Sequence, residues 1–195
     1  TTDLISKQGG YIIPVLYEKL DGEKISYLCY NINYYESCIN QEPMLIQHLK
    51  EEIKNNIDSD VKNCFDKFKI SLEKAGYEVN TNYRDFSVQL VPEKVVIDID
   101  AKITTKKNEQ TSSQEDFVII FPSRIYELAV VVQEITSQEA RFCNFEQLGY
   151  MLLYSQFNID KFKTGEGETI YTIEDRKTKE KFKFAVRGCV IPPGF

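Results

Sequence analysis

Val95 to Ile103 read V-V-I-D-I-D-A-K-I, and this stretch alternates as a half-buried β-strand does. Its odd-numbered positions are all apolar, and its even-numbered positions are Val96, Asp98, Asp100 and Lys102. Because successive side chains of a strand point to opposite faces, the stretch predicts one buried and one solvated face. Strands of this kind are typical of antiparallel sheets.

Two neighbouring strands are predicted on either side of this stretch. Phe86 to Leu90 forms the earlier strand and is separated from it by Pro92-Glu93-Lys94. The apolar run from Phe117 to Phe121 predicts a buried third strand, and the polar residues from Lys106 to Glu115 predict the turn before it. Together they predict a three-stranded meander.

A second set of three strands is predicted nearer the C-terminus. Its members are Asn158 to Lys163, Thr169 to Glu174 and Lys181 to Arg187. The turns between them are predicted at Gly165-Glu166-Gly167 and from Asp175 to Glu180, where the composition favours reversal of the chain.

Helices are predicted before each set of strands. In the first pair, the first helix carries an apolar face of Ile46, Leu49, Ile53 and Ile57. Asp58 or Ser59 is predicted to cap the second helix, whose apolar face is made of Val61, Cys64, Phe65, Phe68, Leu72 and Ala75. In the second pair, a helix after Pro122-Ser123 buries Ile125, Leu128, Ala129, Val132 and Ile135. The last helix follows Cys143 with a capping box of Asn144 and Gln147, and its apolar side carries Leu148, Met151 and Leu152.

This order predicts an α+β fold with antiparallel sheet from two three-stranded meanders and helices packed on one face. The repeated order indicates an internal duplication of low residue-by-residue similarity. We expect a single domain over residues 1–195, divided into 1–40, 41–122 and 123–195. The first part is rich in Tyr and Asn and predicts short extended stretches at Tyr11 to Tyr17 and Lys24 to Asn31.

The composition narrows the classes of partner. The chain has a net charge of -6, and its sequence pI is about 5.0, so electrostatics gives no reason to expect binding to nucleic acid or to an anionic membrane. Its longest apolar runs are far shorter than the roughly 20 residues that span a bilayer. The start, Thr1-Thr2-Asp3-Leu4, lacks an initiator Met, and we expect a processed or truncated product, in which a missing targeting segment is no evidence for the cytoplasm.

The five cysteines are the main clue to the compartment: Cys29, Cys38, Cys64, Cys143 and Cys189. They are dispersed and odd in number, which favours disulfide bonds with one partner missing. A bond between Cys143 and Cys189 would fasten the last helix to the final strand. The pairing among the other three stays open, and five reduced cysteines in a cytosolic protein are the alternative.

Four tyrosines form the candidate recognition surface: Tyr27, Tyr30, Tyr34 and Tyr35. They lie in one short segment with several asparagines, and Tyr with Asn makes adaptable contact surfaces at low entropic cost. The alternative is ordinary packing at a sheet edge.

The sequence gives little support for a catalytic site or a metal site. Asp98 and Asp100 share a strand face and could bind Ca²⁺ or act as acid and base, but a solvated face explains them as well. Cys64 with His48, the only histidine, could form a nucleophile–base pair, although Cys64 lies on an apolar helix face. No phosphate-binding, dinucleotide or hydrolase motif is present, so no cofactor is expected.

Several strings together resemble a known family: Lys7-Gln8-Gly9-Gly10-Tyr11, Cys38-Ile39-Asn40-Gln41-Glu42-Pro43, Asn63-Cys64-Phe65 and Arg187-Gly188-Cys189-Val190-Ile191-Pro192-Pro193-Gly194-Phe195. The family comprises uncharacterised archaeal cell-surface proteins from small-genome lineages. Its members carry a short N-terminal transmembrane helix and then a Cys-containing helix, and some begin with a pilin-like signal. The resemblance implies an exported domain with a single-span anchor, so that membrane contact would occur only through a segment absent from this chain. It also implies a sixth cysteine in the missing helix.

The function expected from these observations is that of a non-enzymatic, cell-surface structural or adhesive domain. Its partners would be other surface proteins, glycans or further copies of itself. The alternatives are a self-assembling filament or pilus-like subunit, which polymerises through its sheet edges, and an enzyme of unrecognised class that uses Asp98, Asp100 or Cys64.

Overall fold

A computed structural model describes residues 1–192 and has an α+β fold. The helices in this part are α1 (Thr2–Lys7), α2 (Leu45–Lys74), α3 (Ile125–Phe142) and α4 (Gln147–Leu153). The strands are β1 (Tyr17–Leu20), β2 (Glu23–Tyr30), β3 (Ile39–Asn40), β4 (Glu78–Val91), β5 (Lys94–Lys107), β6 (Gln110–Pro122), β7 (Phe157–Lys163), β8 (Thr169–Asp175) and β9 (Lys181–Arg187). The last three residues of the closing motif, Pro193, Gly194 and Phe195, lie outside the described residues.

The predicted first meander is confirmed as the antiparallel sheet β4-β5-β6, but its strands are longer than expected. The turn predicted from Lys106 to Glu115 was wrong, because β5 and β6 pair through most of this stretch. Lys107 pairs with Gln110, which leaves a two-residue turn in which Asn108 has a φ of 57°. Asn adopts this left-handed conformation readily, so the turn needs only two residues.

The second meander, β7-β8-β9, is also confirmed, but the sheet that contains it is mixed and six-stranded. The meander itself is antiparallel as predicted, whereas the pairing of β2 with β9, which was not predicted, is parallel. Residues 25–29 of β2 are all buried, and pairing with β9 gives this N-terminal strand an interior position. The stretch from Tyr11 to Tyr17 is a loop up to β1, consistent with the poor fit of Pro14 to a strand.

The two helices predicted between residues 43 and 75 are one continuous helix, α2. No Pro or Gly interrupts it, and Asp58 accepts a 2.6 Å hydrogen bond from Lys62 one turn later, which supports a helix rather than a cap. In its second half, Phe65 packs on Tyr83 and Phe117. Cys64 lies about 100° around the helix and is exposed, so its predicted burial was wrong.

The helix after Ser123 is confirmed as α3, whereas α4 differs in its details. Glu146 caps α4 by accepting a hydrogen bond from the amide of Leu148, whereas Asn144 instead accepts one from Lys161. Its contact with the core is made by Tyr150 and Met151, and both Leu148 and Leu152 are exposed. The apolar side predicted for this helix is therefore only partly buried.

A single cluster of buried side chains contains members of both sheets and of α2 and α3. Val95 and Ile97 enter it from the first sheet, and Tyr171 and Phe182 from the second. The two meanders are unequal, with strands of 13 or 14 residues in one and 7 in the other, and an internal duplication stays a prediction. Among residues 1–192, no helix combines the length and apolar character needed to cross a bilayer.

Candidate binding surface at the two disulfide bonds

Two disulfide bonds join Cys143 to Cys189 and Cys29 to Cys38, with Cα–Cα distances of 5.9 Å and 5.2 Å. The predicted Cys143–Cys189 bond is confirmed. The sequence left the other three cysteines unassigned, and the structure identifies Cys64 as the free thiol. Two disulfide bonds indicate an oxidising, extracellular environment.

The Cys29–Cys38 bond closes a short loop, which we call the 29–38 loop. The chain leaves β2 at Tyr30 and returns as β3, where Ile39 pairs with Tyr30 and Asn40 with Cys29. The loop base is therefore held by a disulfide bond and by strand pairing, which together restrict its conformations.

The 29–38 loop lies on the segment that follows β9. The amide of Tyr35 donates a 3.0 Å hydrogen bond to the carbonyl of Val190, and the amide of Cys189 donates one of 2.6 Å to the carbonyl of Glu36. A Cβ atom on Gly188 would lie 2.8 Å from the amide nitrogen of Cys38. Glycine is required here by close backbone approach, which places the two disulfide bonds side by side.

Arg187 contacts two tyrosine rings of the 29–38 loop. Its guanidinium lies 5.8 Å from the ring centroid of Tyr30 and 5.5 Å from that of Tyr34. The Nε atom lies 3.4 Å from the Glu168 carboxylate, and Nη1 donates to the carbonyl of Asn31. These contacts hold a largely buried cation between two tyrosine rings, an arrangement that is favourable when water is excluded.

The four predicted tyrosines have different environments. Tyr27 is buried and donates a 2.6 Å hydrogen bond to Glu18, so its expected place on the surface was wrong. Burial and this hydrogen bond raise the pKa of Tyr27 well above its ordinary value. Tyr30 is half-buried, and only Tyr34 and Tyr35 are exposed. Tyr35 has a φ of 63°, an uncommon conformation for a bulky residue.

Four further apolar side chains are exposed on the segments that carry the two disulfide bonds. Ile32 lies within the 29–38 loop and Ile39 directly follows it, Ile191 follows Cys189 by two positions, and Phe142 precedes Cys143. With the tyrosines, they form the disulfide-end surface, whose members are between 44% and 71% exposed: Ile32, Tyr34, Tyr35, Ile39, Phe142 and Ile191. The sequence signal that we missed was isoleucine within an otherwise polar loop.

The loop also carries one organised carboxylate. Glu36 accepts hydrogen bonds of 3.0 Å from Asn33 and 3.1 Å from Asn31, which lower the pKa of its carboxyl group. The asparagines of the predicted recognition segment therefore order the loop itself. Glu36 provides an ionised group beside the apolar members of the surface.

Asp98 and Asp100, which were considered for catalysis, contact different polar side chains. Asp98 accepts a 2.9 Å hydrogen bond from Gln89, and Asp100 lies 3.3 Å from Arg84. Both line an open cavity of about 470 Å³ on the first sheet. Within residues 1–192, no group of three or more His, Cys, Asp or Glu side chains is placed to hold a metal ion.

His48 and Cys64 lie on the same helix, about 24 Å apart along its axis at 1.5 Å per residue. Their proposed nucleophile–base pairing is therefore wrong. Nε2 of His48 lies instead 3.0 Å from the carbonyl oxygen of Gly10, and its ring packs on Tyr11.

Two strings that support the family resemblance meet at this histidine. Tyr11 donates to the carboxylate of Glu42, and a Cβ atom on Gly9 would lie 2.9 Å from the Cβ of Ser26. The Gly-Gly pair thus packs the N-terminal segment tightly against β2, which gives both strings a structural role.

Comparisons with protein-family models, with curated proteins and with solved structures found no match. The archaeal cell-surface resemblance therefore rests on the quoted strings and stays a prediction.

Proposed function

We propose that this chain is an exported, non-enzymatic binding domain that contacts another cell-surface protein through the disulfide-end surface. The observation that carries the proposal is the fixing of exposed Tyr and Ile side chains by two adjacent disulfide bonds. The environment indicated by those bonds agrees with an exported domain.

The rigidity of the 29–38 loop is the first feature that supports binding through this surface. A loop that is ordered only on binding loses conformational entropy at that moment, whereas a preorganised loop has lost it on folding. The hydrogen bonds from Tyr35 to Val190 and from Cys189 to Glu36 hold the 29–38 loop before any partner arrives. Binding through this loop therefore has a small ordering cost.

The residue composition of the disulfide-end surface favours a protein partner. Aromatic residues are enriched and charged residues depleted in the buried centre of protein interfaces. Ile32, Ile39 and Ile191 add aliphatic area beside Tyr35, and Glu36 provides a charge at the margin. A glycan, the other partner class considered, would bind Tyr35 through its ring but would gain less from the isoleucines.

The finer localisation follows from the family resemblance alone. We propose that the full-length protein is anchored by a single transmembrane helix preceding Thr1, with a Cys-containing helix between them. The coding sequence upstream of Thr1 tests this directly. A hydrophobic segment of about 20 residues is expected, and a cytosolic leaderless start at this point would contradict it.

The binding experiment uses purified domain and cells of the source organism. A Tyr35→Ala/Ile39→Ala double variant should bind cells at least about tenfold more weakly, since such a loss corresponds to only 1.4 kcal/mol. Ile13→Ala/Val15→Ala is the matched control, because both side chains are highly exposed on a different loop. Equal binding by both double variants would contradict the proposed surface. Loss of wild-type binding after protease treatment of the cells, but not after glycosidase treatment, would identify a protein partner.

A self-assembling subunit is the second candidate function. The exposed strand β6 favours association between copies through the edge of the first sheet. The third alternative, an enzyme using Asp98, Asp100 or Cys64, gains no support from the contacts of these three residues described above.

A further inference from the structure

Strand β6 is the most accessible apolar strand edge in the described part of the chain. It forms one edge of the sheet β4-β5-β6, and no strand within residues 1–192 pairs with its outer side. Val118, Ile119 and Ile120 are between 49% and 57% exposed, although they lie in the middle of a regular ladder. An edge of this kind presents free backbone donors and acceptors to another strand.

From Phe117 to Phe121 the edge lacks the features by which soluble proteins prevent such pairing, and these features lie only at its two ends, as a register shift at Asp116 and as Pro122. Between Phe117 and Pro122, β6 pairs with β5 without a bulge and carries no charged side chain. The opposite edge, β4, has a bulge between Tyr83 and Asp85 and carries Arg84 there, and α2 packs against this strand. Bulges and charges block strand addition, so β6 is the less protected of the two edges.

The sequence of the edge is self-complementary. Phe117 to Phe121 read F-V-I-I-F, which is nearly the same in both directions. If two copies pair antiparallel about Ile119, then Phe117 faces Phe121, Val118 faces Ile120, and Ile119 faces itself. Every cross-strand pair is then apolar and rich in β-branched or aromatic groups, which are the favourable pairs in sheets.

We propose that β6 pairs with β6 of a second copy, which forms a two-fold symmetric dimer with a continuous six-stranded antiparallel sheet. The partner is a copy of this chain because the segment matches itself at each position. A two-fold axis closes the assembly at two copies, as isologous interfaces do.

Charge favours this register over the one centred on Val118. In the register centred on Ile119, the paired segment runs from Phe117 to Phe121, and Glu115 and Asp116, which lies at a register shift with a φ of 53°, stay outside it. A register centred on Val118 would instead place Asp116 against Ile120, and Glu115 against Phe121. Burial of a carboxylate against an apolar side chain is unfavourable, so the Ile119 register is favoured over the Val118 register.

The proposal is independent of the disulfide-end surface, because the two surfaces share no residue. We expect a concentration-dependent dimer of moderate affinity, since a single strand pair buries less area than the roughly 1,200–2,000 Å² of stable complexes. Loss of cell binding in the Tyr35→Ala/Ile39→Ala variant and loss of dimer in a β6 variant are separate outcomes.

The test is sedimentation equilibrium of the disulfide-bonded domain from micromolar to millimolar concentration. Ile119→Lys places two like charges opposite each other and should weaken dimerisation at least about tenfold. Ser112→Lys is the matched control on the same strand, since the exposed Ser112 lies outside the self-paired segment. Val118→Lys, on the other face, gives a second variant if the first folds poorly.

Cross-linking tests the register in a Cys64→Ser background. Ile119→Cys should form a symmetric disulfide-linked dimer under mild oxidation, whereas Ser112→Cys should not. Dimer that persists unchanged in Ile119→Lys and Val118→Lys, or a strictly monomeric wild-type domain at millimolar concentration, would overturn the proposal.

Discussion

The amide of Tyr35 donates a 3.0 Å hydrogen bond to the carbonyl oxygen of Val190, although the two residues are far apart in the chain. This bond connects the loop closed by Cys29–Cys38 to the segment carrying Cys189, which is bonded to Cys143. The two covalent links therefore stabilise one shared surface, and damage to either should affect the other.

The two disulfide bonds should contribute unequally to stability. Their sequence separations are 46 for Cys143–Cys189 and 9 for Cys29–Cys38. The chain-entropy model gives about 4 kcal/mol for the longer loop and about 3 kcal/mol for the shorter. Urea unfolding of the Cys143→Ser/Cys189→Ser and Cys29→Ser/Cys38→Ser variants measures both losses. A larger loss for the second variant would contradict this order.

Gly188→Ala should destabilise the loop contact. The new Cβ would lie 2.8 Å from the backbone nitrogen of Cys38, which cannot move without disturbing the disulfide bond. We expect a loss of about 1–3 kcal/mol, as in other cases of overpacking. Gly165→Ala is the control because a Cβ there meets no atom within 4 Å. Similar unfolding free energies for the two variants would show that the close approach is absent in solution.

Cys64 should be the one thiol that reacts in the native domain. It is exposed on α2, whereas the other four cysteines form disulfide bonds. Labelling with a maleimide before and after reduction, followed by mass measurement, should give one and then five modified cysteines. Five labelled residues before reduction would support the cytosolic alternative. Cys64→Ser should change the unfolding free energy by less than about 0.5 kcal/mol, as is usual at exposed sites.

The stabilisation that buried, protonated Tyr171 provides should be lost in alkali. It is fully buried and donates to Glu139, and burial followed by this hydrogen bond raises its pKa well above the ordinary 10.0. The unfolded state therefore loses this proton near pH 10 while the folded state retains it. The stabilisation is complete below pH 10 and decreases as the pH rises above it.

The Tyr171→Phe variant separates this contribution from those of the other tyrosines. It should lose about 1–3 kcal/mol at neutral pH, because the buried Glu139 loses a hydrogen-bond donor. Its unfolding free energy should also fall less steeply than that of the wild type above pH 10. Parallel pH profiles for the two proteins would contradict the assignment. Tyr17→Phe is a control, since Tyr17 is only partly buried.

Local patterns predicted much of the fold. The alternation from Val95 to Ile103 identified the central strand of the first sheet, and the turn residues around Gly165 and Asp175 located the second meander. Cys143 and Cys189 were paired correctly because each flanks an element that was itself predicted. In these cases the deciding interactions lie between residues close in sequence, or between predicted neighbours.

Contacts between segments far apart in the sequence were not predictable in the same way. The parallel pairing of β2 with β9 joins segments from opposite ends of the chain, and neither strand alone indicates its partner. The same applies to the surface, where Tyr27 turned inward and Ile32 and Ile39 outward. Which face of a short aromatic segment is buried depends on what packs against it, and here the packing comes from the C-terminal half.

The proposed function requires that the disulfide-end surface bind a partner on the cell. The most direct measurement is the dissociation constant of fluorescently labelled domain for intact cells, compared between wild type and Tyr35→Ala/Ile39→Ala, with Ile13→Ala/Val15→Ala as control. We predict saturable wild-type binding that the control retains and the first variant weakens at least about tenfold. Saturable binding of equal affinity by all three proteins would contradict the claim.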